Sequence, residues 1–261
     1  MIGFNYLGNL GHLGNQMFQY AALKGIANNN NYEFCIPDRQ IFGSQYKLKS
    51  SLFECFDIET NFGLISGSVI DEQHFHFNKN LFEQCPDNVS LNGYFQTEKY
   101  FKNVESQIRK GFEFIPKILD PSKNYFDENF AGSEVISIHF RRGDYILDDN
   151  HPVQDLSFYS ESLSYFDDNL PVLIFSDDPE WCKSQEIFSS DRFFVSETNN
   201  CYIDLCLMTL CNYHIIANSS YSWWGSWLSK SKKTIAPKNW FAGSCINYIT
   251  EDIYCSDWII L

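Results

Sequence analysis

The sequence predicts an α/β fold of two lobes, the second a Rossmann-type parallel sheet with helices on both faces. Three observations lead there. Short apolar runs alternate with helix-period segments through the second half of the chain. Most of these runs stop at a polar cluster, as strands do at a ligand-binding edge. At 261 residues, 44% hydrophobic and 17% aromatic, the chain has enough apolar surface to fill the core of such a fold.

In chain order, a Gly-rich loop carrying Gly3, Gly8, Gly11 and Gly14 leads into a helix predicted over 15–26, followed by a strand at 32–36. Residues 40–130 mix aromatic clusters, short β-like runs and a helix near 98–110, which reads as a smaller α/β lobe. The junction is expected near 120–132, around Pro121 and Gly132, so the lobes are taken as 1–131 and 132–261. The second lobe opens with a strand at 135–140. A helix over 156–166 follows, with Leu156, Tyr159, Leu163 and Phe166 at helical spacing. A strand at 172–175 then meets Ser176-Asp177-Asp178-Pro179, a turn suited to a helix start. The remaining elements are a strand at 193–195, a helix at 201–210, a strand at 214–217, a helix capped by 218–220 that runs to 229, and a strand at 234–236.

Charge narrows the function. A net charge of −14 disfavours nucleic acid and anionic membrane surfaces, both of which need a broad basic face. Nine cysteines without a CxxC pair give no zinc pattern; they read as thiols of a reducing compartment, with a disulfide pair left open. The first 23 residues hold no charged side chain and no long apolar core, so no secretory signal is expected. Residues 205–229 lack formal charge, but Asn, His and Ser interrupt them, which argues against a membrane span. A soluble cytoplasmic protein is the expectation.

Against that acidic background, two of the chain's five arginines are adjacent, Arg141 and Arg142, at the end of a strand. Three polar clusters fall at strand ends and therefore at one rim: 139–144, 176–178 and 218–220. Two guanidinium forks suit a diphosphate, since each donates bidentate hydrogen bonds to phosphate oxygens. Ser219 and Ser220 at a helix start add hydroxyls, backbone N–H groups and the positive dipole end. Each feature also has a structural reading. The Arg-Arg-Gly-Asp turn can be a solvated ion pair, the Ser pair a helix cap, and Asp177-Asp178 a turn before Pro179. Trp223, Trp224 and Trp227 read as core before they read as a sugar platform. Arg142-Gly143-Asp144 also spells an adhesion tripeptide, which has little weight without a secretion signal.

Together, "GHLGNQMFQYAAL" at 11–23, "HFRRGDY" at 139–145, "FSDD" at 175–178 and "ANSSYSWWGSWLS" at 217–229 resemble the bacterial α-1,2-fucosyltransferases of glycosyltransferase family 11. The resemblance runs from residue 8 to about 240 and implies a GT-B fold of two Rossmann-like lobes. The C-terminal lobe would hold GDP-β-L-fucose and the N-terminal lobe would face the acceptor. It implies inverting transfer to the 2-hydroxyl of a terminal β-galactoside, with no metal, in surface-glycan synthesis; the alternatives are a fucosyltransferase of different linkage or acceptor, or a non-catalytic nucleotide- or glycan-binding protein of the same fold. Association with the inner face of the membrane is a further expectation. By position, Arg141 and Arg142 match the diphosphate-binding pair, and His139 with Asp177 or Asp178 matches guanosine contacts. Asn218, Ser219 and Ser220 match the phosphate-contacting cluster, and Gly14, Asn15 and Gln16 match a turn lining the donor cleft. Asp144 is read as general base or as brace for an arginine, with His12 as a second candidate base. The stretch 40–110 matches no motif, which leaves the acceptor less defined than the donor.

Overall fold

The computed structural model describes residues 1–38 and 51–261. The chain divides into two compact units, Met1–Ile115 with Tyr248–Cys255, and Pro116–Asn247 with Ser256–Leu261.

The first unit is built on a five-stranded parallel sheet in the order β3-β2-β1-β5-β4. Its strands are β1 (Ile2–Gly3), β2 (Phe34–Ile36), β3 (Asn61–Phe62), β4 (Ser68–Asp71) and β5 (Val89–Asn92). The helix Leu13–Asn29, longer at both ends than the periodicity predicts, buries 13 of its 17 residues. It is buried nearly all round, and its buried positions include the amides of Gln16 and Gln19. Gly25 lets it approach its neighbour: a Cβ there would lie 1.9 Å from the Tyr100 carbonyl oxygen. The helix predicted near 98–110 is broken into 3-10 turns at Glu98–Tyr100 and Lys102–Val104 before the short helix Glu105–Gly111. These turns aim the adjacent Tyr100 and Phe101 into the core together, and both are fully buried.

The second unit carries six parallel strands in the order β11-β10-β9-β6-β7-β8. They are β6 (Ile136–Phe140), β7 (Val172–Ser176), β8 (Phe193–Val195), β9 (Tyr213–Ile215), β10 (Lys233–Ala236) and β11 (Ile259–Ile260). The period-2 geometry of a strand explains the two-faced core. Val172 and Ile174 pack with Tyr159, Leu163 and Cys182 on one face. Leu173 and Phe175 pack with Phe130, Leu207 and Met208 on the other. Trp223, Trp224 and Trp227 are buried core residues.

Two further features differ from the sequence expectation. The helix Pro116–Phe130 belongs to the second unit, so the division falls before Pro116 and not between 131 and 132. Pro121 lies inside that helix instead of marking a linker. Burial of Ile118, Ser122 and Phe130 holds the helix together despite the backbone hydrogen bond Pro121 cannot make. The second difference is β11, which was not anticipated: two residues near the C-terminus pair with β10 through Ile235 and Ala236. All nine cysteines are free thiols.

Candidate active site

In the second unit the chain winds outward from β6 through β7 to β8, then returns to β9 on the other side of β6 and winds away through β10 to β11. The strand order therefore reverses between β6 and β9, and ligands of open α/β sheets bind at the carboxyl ends beside such a point. Arg141 and Arg142 follow β6, Asn218 to Ser220 follow β9, and Asp177 and Asp178 follow β7 next door.

The two arginines are held by three carboxylates. Arg141 donates through Nη2 to Asp144 Oδ1 at 2.6 Å and through Nη1 to Asp177 Oδ2 at 2.8 Å. The Arg142 backbone N–H donates to Asp177 Oδ1 at 2.9 Å. Its Nε donates to Asp178 Oδ2 at 3.2 Å, and its guanidinium lies 3.7 Å from the centroid of the Trp181 ring. That is stacking distance, and it fixes the plane of the fork. Gly143 makes room for the arrangement, since a Cβ there would come within 2.7 Å of Asp177 Oδ2. Asp178 also caps the next short helix by accepting from Trp181 N. Two guanidiniums against three carboxylates leave this cluster formally at −1. Asp144 is the most exposed of the three acids, at 59%, and its pair with Arg141 is the one water screens most.

Behind the arginines the rim is rigid. His139 is buried, with Nδ1 2.9 Å from Ser222 Oγ, and its carbonyl accepts from the Tyr159 hydroxyl at 3.0 Å. Burial, reinforced by Arg141, pushes the imidazole down to about 3, so it stands neutral at physiological pH. Ser219 caps the helix Ser220–Ser229 by accepting from Tyr221 N. Asn218 donates to the Trp240 carbonyl at 3.1 Å, and its side-chain oxygen accepts from Gln154 Nε2 at 3.1 Å. The Tyr145 hydroxyl donates to the Asn218 carbonyl at 3.2 Å, linking the Arg-Arg-Gly-Asp turn to the β9 loop. Asn218 therefore ties the loops of this rim together, and Ser219 shapes the helix end.

One residue of this rim escaped the sequence reading. Asp204, on the helix Cys201–Leu210 that follows β8, accepts from Ser196 Oγ at 2.6 Å and from Thr198 Oγ1 at 2.7 Å. Burial raises its carboxyl above the usual range, against the pull of those two hydroxyls. Both bonds end on Oδ1, so Oδ2 retains acceptor capacity. The signal in the sequence was an acidic residue inside an otherwise uncharged apolar helix.

Gly14, Asn15 and Gln16 lie in the first unit, in the first turn of the helix Leu13–Asn29. Asn15 Oδ1 accepts from Gln96 Nε2 at 2.7 Å, and Gln16 Oε1 accepts from Leu52 N at 3.1 Å. Gln19, on the same helix, accepts from Gly8 N and donates to the carbonyls of Leu10 and Gly93. The amides of this motif thus pin the Gly-rich loop and its neighbours. His12 is the N-cap residue.

A sequence model described as Glycosyl transferase family 11 matches residues 2–261. An alpha-1,2-colitosyltransferase of Escherichia coli is 32% identical over 272 residues, covering 91% of this chain and 92% of the relative. The O-antigen biosynthesis glycosyltransferase WbnK of Escherichia coli is 27% identical, covering 93% and 96%. The galactoside 2-alpha-L-fucosyltransferase SEC1 of Bos taurus is 24% identical, covering 84% of this chain and 62% of the relative. Among solved structures, the NodZ alpha-1,6-fucosyltransferase soaked with GDP-fucose superposes with a TM-score of 0.56 at 14% identity, covering 89% of this chain and 94% of that one. POFUT1 in complex with GDP gives 0.56 at 11% identity, covering 88% and 94%. These structural likenesses carry the fold, the two-lobed GT-B arrangement.

Proposed function

The chain belongs to glycosyltransferase family 11, and on that footing we propose that it moves L-fucose from GDP-β-L-fucose to the 2-hydroxyl of a terminal β-galactoside, inverting the anomeric centre without a metal. The observation that carries the reading is the preorganised arginine pair at the β6–β9 strand-order reversal, stacked on Trp181 and braced by Asp177. Breaking the fucosyl–phosphate bond builds negative charge on the departing diphosphate. Fixed guanidinium groups act where that charge develops, which is the kind of binding that lowers a barrier. The N-terminus of the helix Ser220–Ser229 supports the same anion. Among the described residues no cluster of His, Cys, Asp and Glu could hold a metal ion. Metal independence is therefore tested directly with a chelator.

Asp144 is the arginine partner that a diphosphate displaces most easily, because it is the most exposed. Paired with Arg141 it is a brace; once released it is a carboxylate able to take the acceptor proton. Asp177 and Asp178 are occupied by the arginines, whereas Asp204 Oδ2 suits the N–H edge of guanine. Synthesis of a bacterial surface glycan fits the names of the Escherichia coli relatives.

The test is incubation with GDP-fucose and galactosides, with and without EDTA, reading GDP release and product linkage. An α-1,2 product in EDTA is expected. A product of another linkage overturns the linkage, and loss in EDTA overturns metal independence. A second reading concerns the sugar alone: the 32% identical relative is by name a colitosyltransferase. Running a colitosyl donor in parallel decides between the two.

A further inference from the structure

We propose that the loop 93–96 of the first unit is the acceptor-sugar platform, with Tyr94 as its stacking ring and Glu72 as the residue that positions it. This inference rests on the glycosyl-transfer reading above and names where its sugar acceptor is held.

The loop leaves β5 at the carboxyl end of a parallel sheet, the edge where ligands bind in such sheets. Its backbone takes conformations that L side chains avoid. Gly93 has φ +155, and a Cβ there would come within 2.4 Å of Glu72 Cβ. Phe95 has φ +54, an outlier for a bulky residue. Such strain persists only where surrounding contacts over-determine it, and it gathers at ligand sites.

The contacts are present on every side of the loop. Glu72, at the end of β4, accepts from Tyr94 N at 2.7 Å through Oε2 and from Phe95 N at 3.0 Å through Oε1. Gln19 Nε2 donates to the Gly93 carbonyl at 3.0 Å, and Gln96 donates to Asn15 at 2.7 Å. Phe95 is buried edge-on against Phe4 and Tyr100. A carboxylate is a costly way to close a turn, because burial opposes its charge and lifts it to about 7. What the clasp achieves is a fixed backbone with Tyr94 on the surface, 36% exposed. Tyr6, after the neighbouring β1, is exposed beside the same edge at 41%. A tyrosine ring on a rigid loop suits a sugar: the apolar face of a pyranose packs on the ring and the phenol offers a polar tip. A loop whose backbone is held beforehand loses little freedom on binding.

The experiment measures galactoside binding, using lactose as probe, by saturation-transfer NMR without donor, alongside transfer kinetics and GDP affinity by calorimetry. Four proteins are compared: wild type, Tyr94→Ala, Tyr94→Phe and Glu72→Gln, each checked by melting temperature. Tyr94→Ala is expected to lose the lactose signal and raise the acceptor KM about tenfold, the scale of one aromatic contact. Tyr94→Phe keeps the ring and should stay within about threefold. Glu72→Gln sets an amide N–H against a backbone N–H, so acceptor KM should rise while GDP affinity holds. Unchanged lactose binding and KM in folded Tyr94→Ala overturns the proposal while leaving the transferase reading intact. Tyr94-dependent lactose binding in a protein that transfers no fucose would uphold the platform and remove that reading. Absence of both lactose binding and transfer in wild type would remove both.

Discussion

Asp177 reaches Arg141 at 2.8 Å, Oδ2 to Nη1, while its other oxygen accepts the Arg142 backbone N–H at 2.9 Å. One carboxylate thus orients the side chain of the first arginine and the main chain of the second. Asp177→Asn keeps the size but loses the charge facing Arg141. Transfer should fall about 100-fold, the cost of misplacing a reacting group by about an ångström. Single-turnover rates of GDP release, with circular dichroism as control for folding, check this.

Gly143→Ala tests the same geometry from the opposite side. The new Cβ would meet Asp177 Oδ2 at 2.7 Å, so the carboxylate must move and the arginines with it. The expected outcome is a fall in kcat comparable to that of Asp177→Asn, with a melting temperature close to wild type. Wild-type kcat in Gly143→Ala would show that the arginine pair tolerates displacement.

Arg142→Ala should lower the rate about 100- to 1000-fold, the usual cost of one preorganised donor at a site of developing charge. Arg142→Lys should recover little, because an ammonium offers neither the flat stack on Trp181 nor the fork. Steady-state assays at saturating GDP-fucose measure both.

Stability should respond to pH with two opposite signs. His139 and His214 are buried and pushed down to about 3 from 6.5. Their contribution is present above about pH 6.5 and is lost as pH falls toward 3, because unfolding releases an imidazole that takes a proton more readily. Glu72 is raised to about 7 from 4.5. Its contribution is full below about 4.5 and disappears as pH rises through 7. Urea titrations from pH 5 to 8 on wild type and Glu72→Gln isolate the second effect: the difference between the two curves should shift toward the variant as pH rises. Parallel curves would show that Glu72 does not titrate in this range.

Gly25→Ala should destabilise the first unit, since its Cβ would lie 1.9 Å from the backbone oxygen of Tyr100 and neither helix nor turn has a side chain to yield. A loss of about 1–3 kcal/mol is the scale for overpacking, read from the urea midpoint.

Much of the second unit was legible in advance because its central strands are buried on both faces. A strand in that position is a continuous apolar run, and Ile136–Phe140 and Val172–Ser176 stand out as such between polar turns. The first unit was less legible. Its strands are two to four residues long, too short for any period to register. β11 has the same difficulty, since two isoleucines become a strand only beside β10.

By itself the sequence determined that Arg141, Arg142, Asp177, Asp178 and Asn218 to Ser220 stand at strand ends of a doubly wound sheet, because alternation and turn chemistry are local properties of the chain. Only the tertiary structure decided which of these side chains hold one another. Asp177 and Arg142 are 35 positions apart, and nothing local says that the carboxylate faces the arginines or that Asn218 ties the rim together. The Glu72 clasp on the strained loop after β5 is of the same kind. Hydrogen bonds between loops depend on where strands end in space, and strand order fixes that only once the sheet has formed.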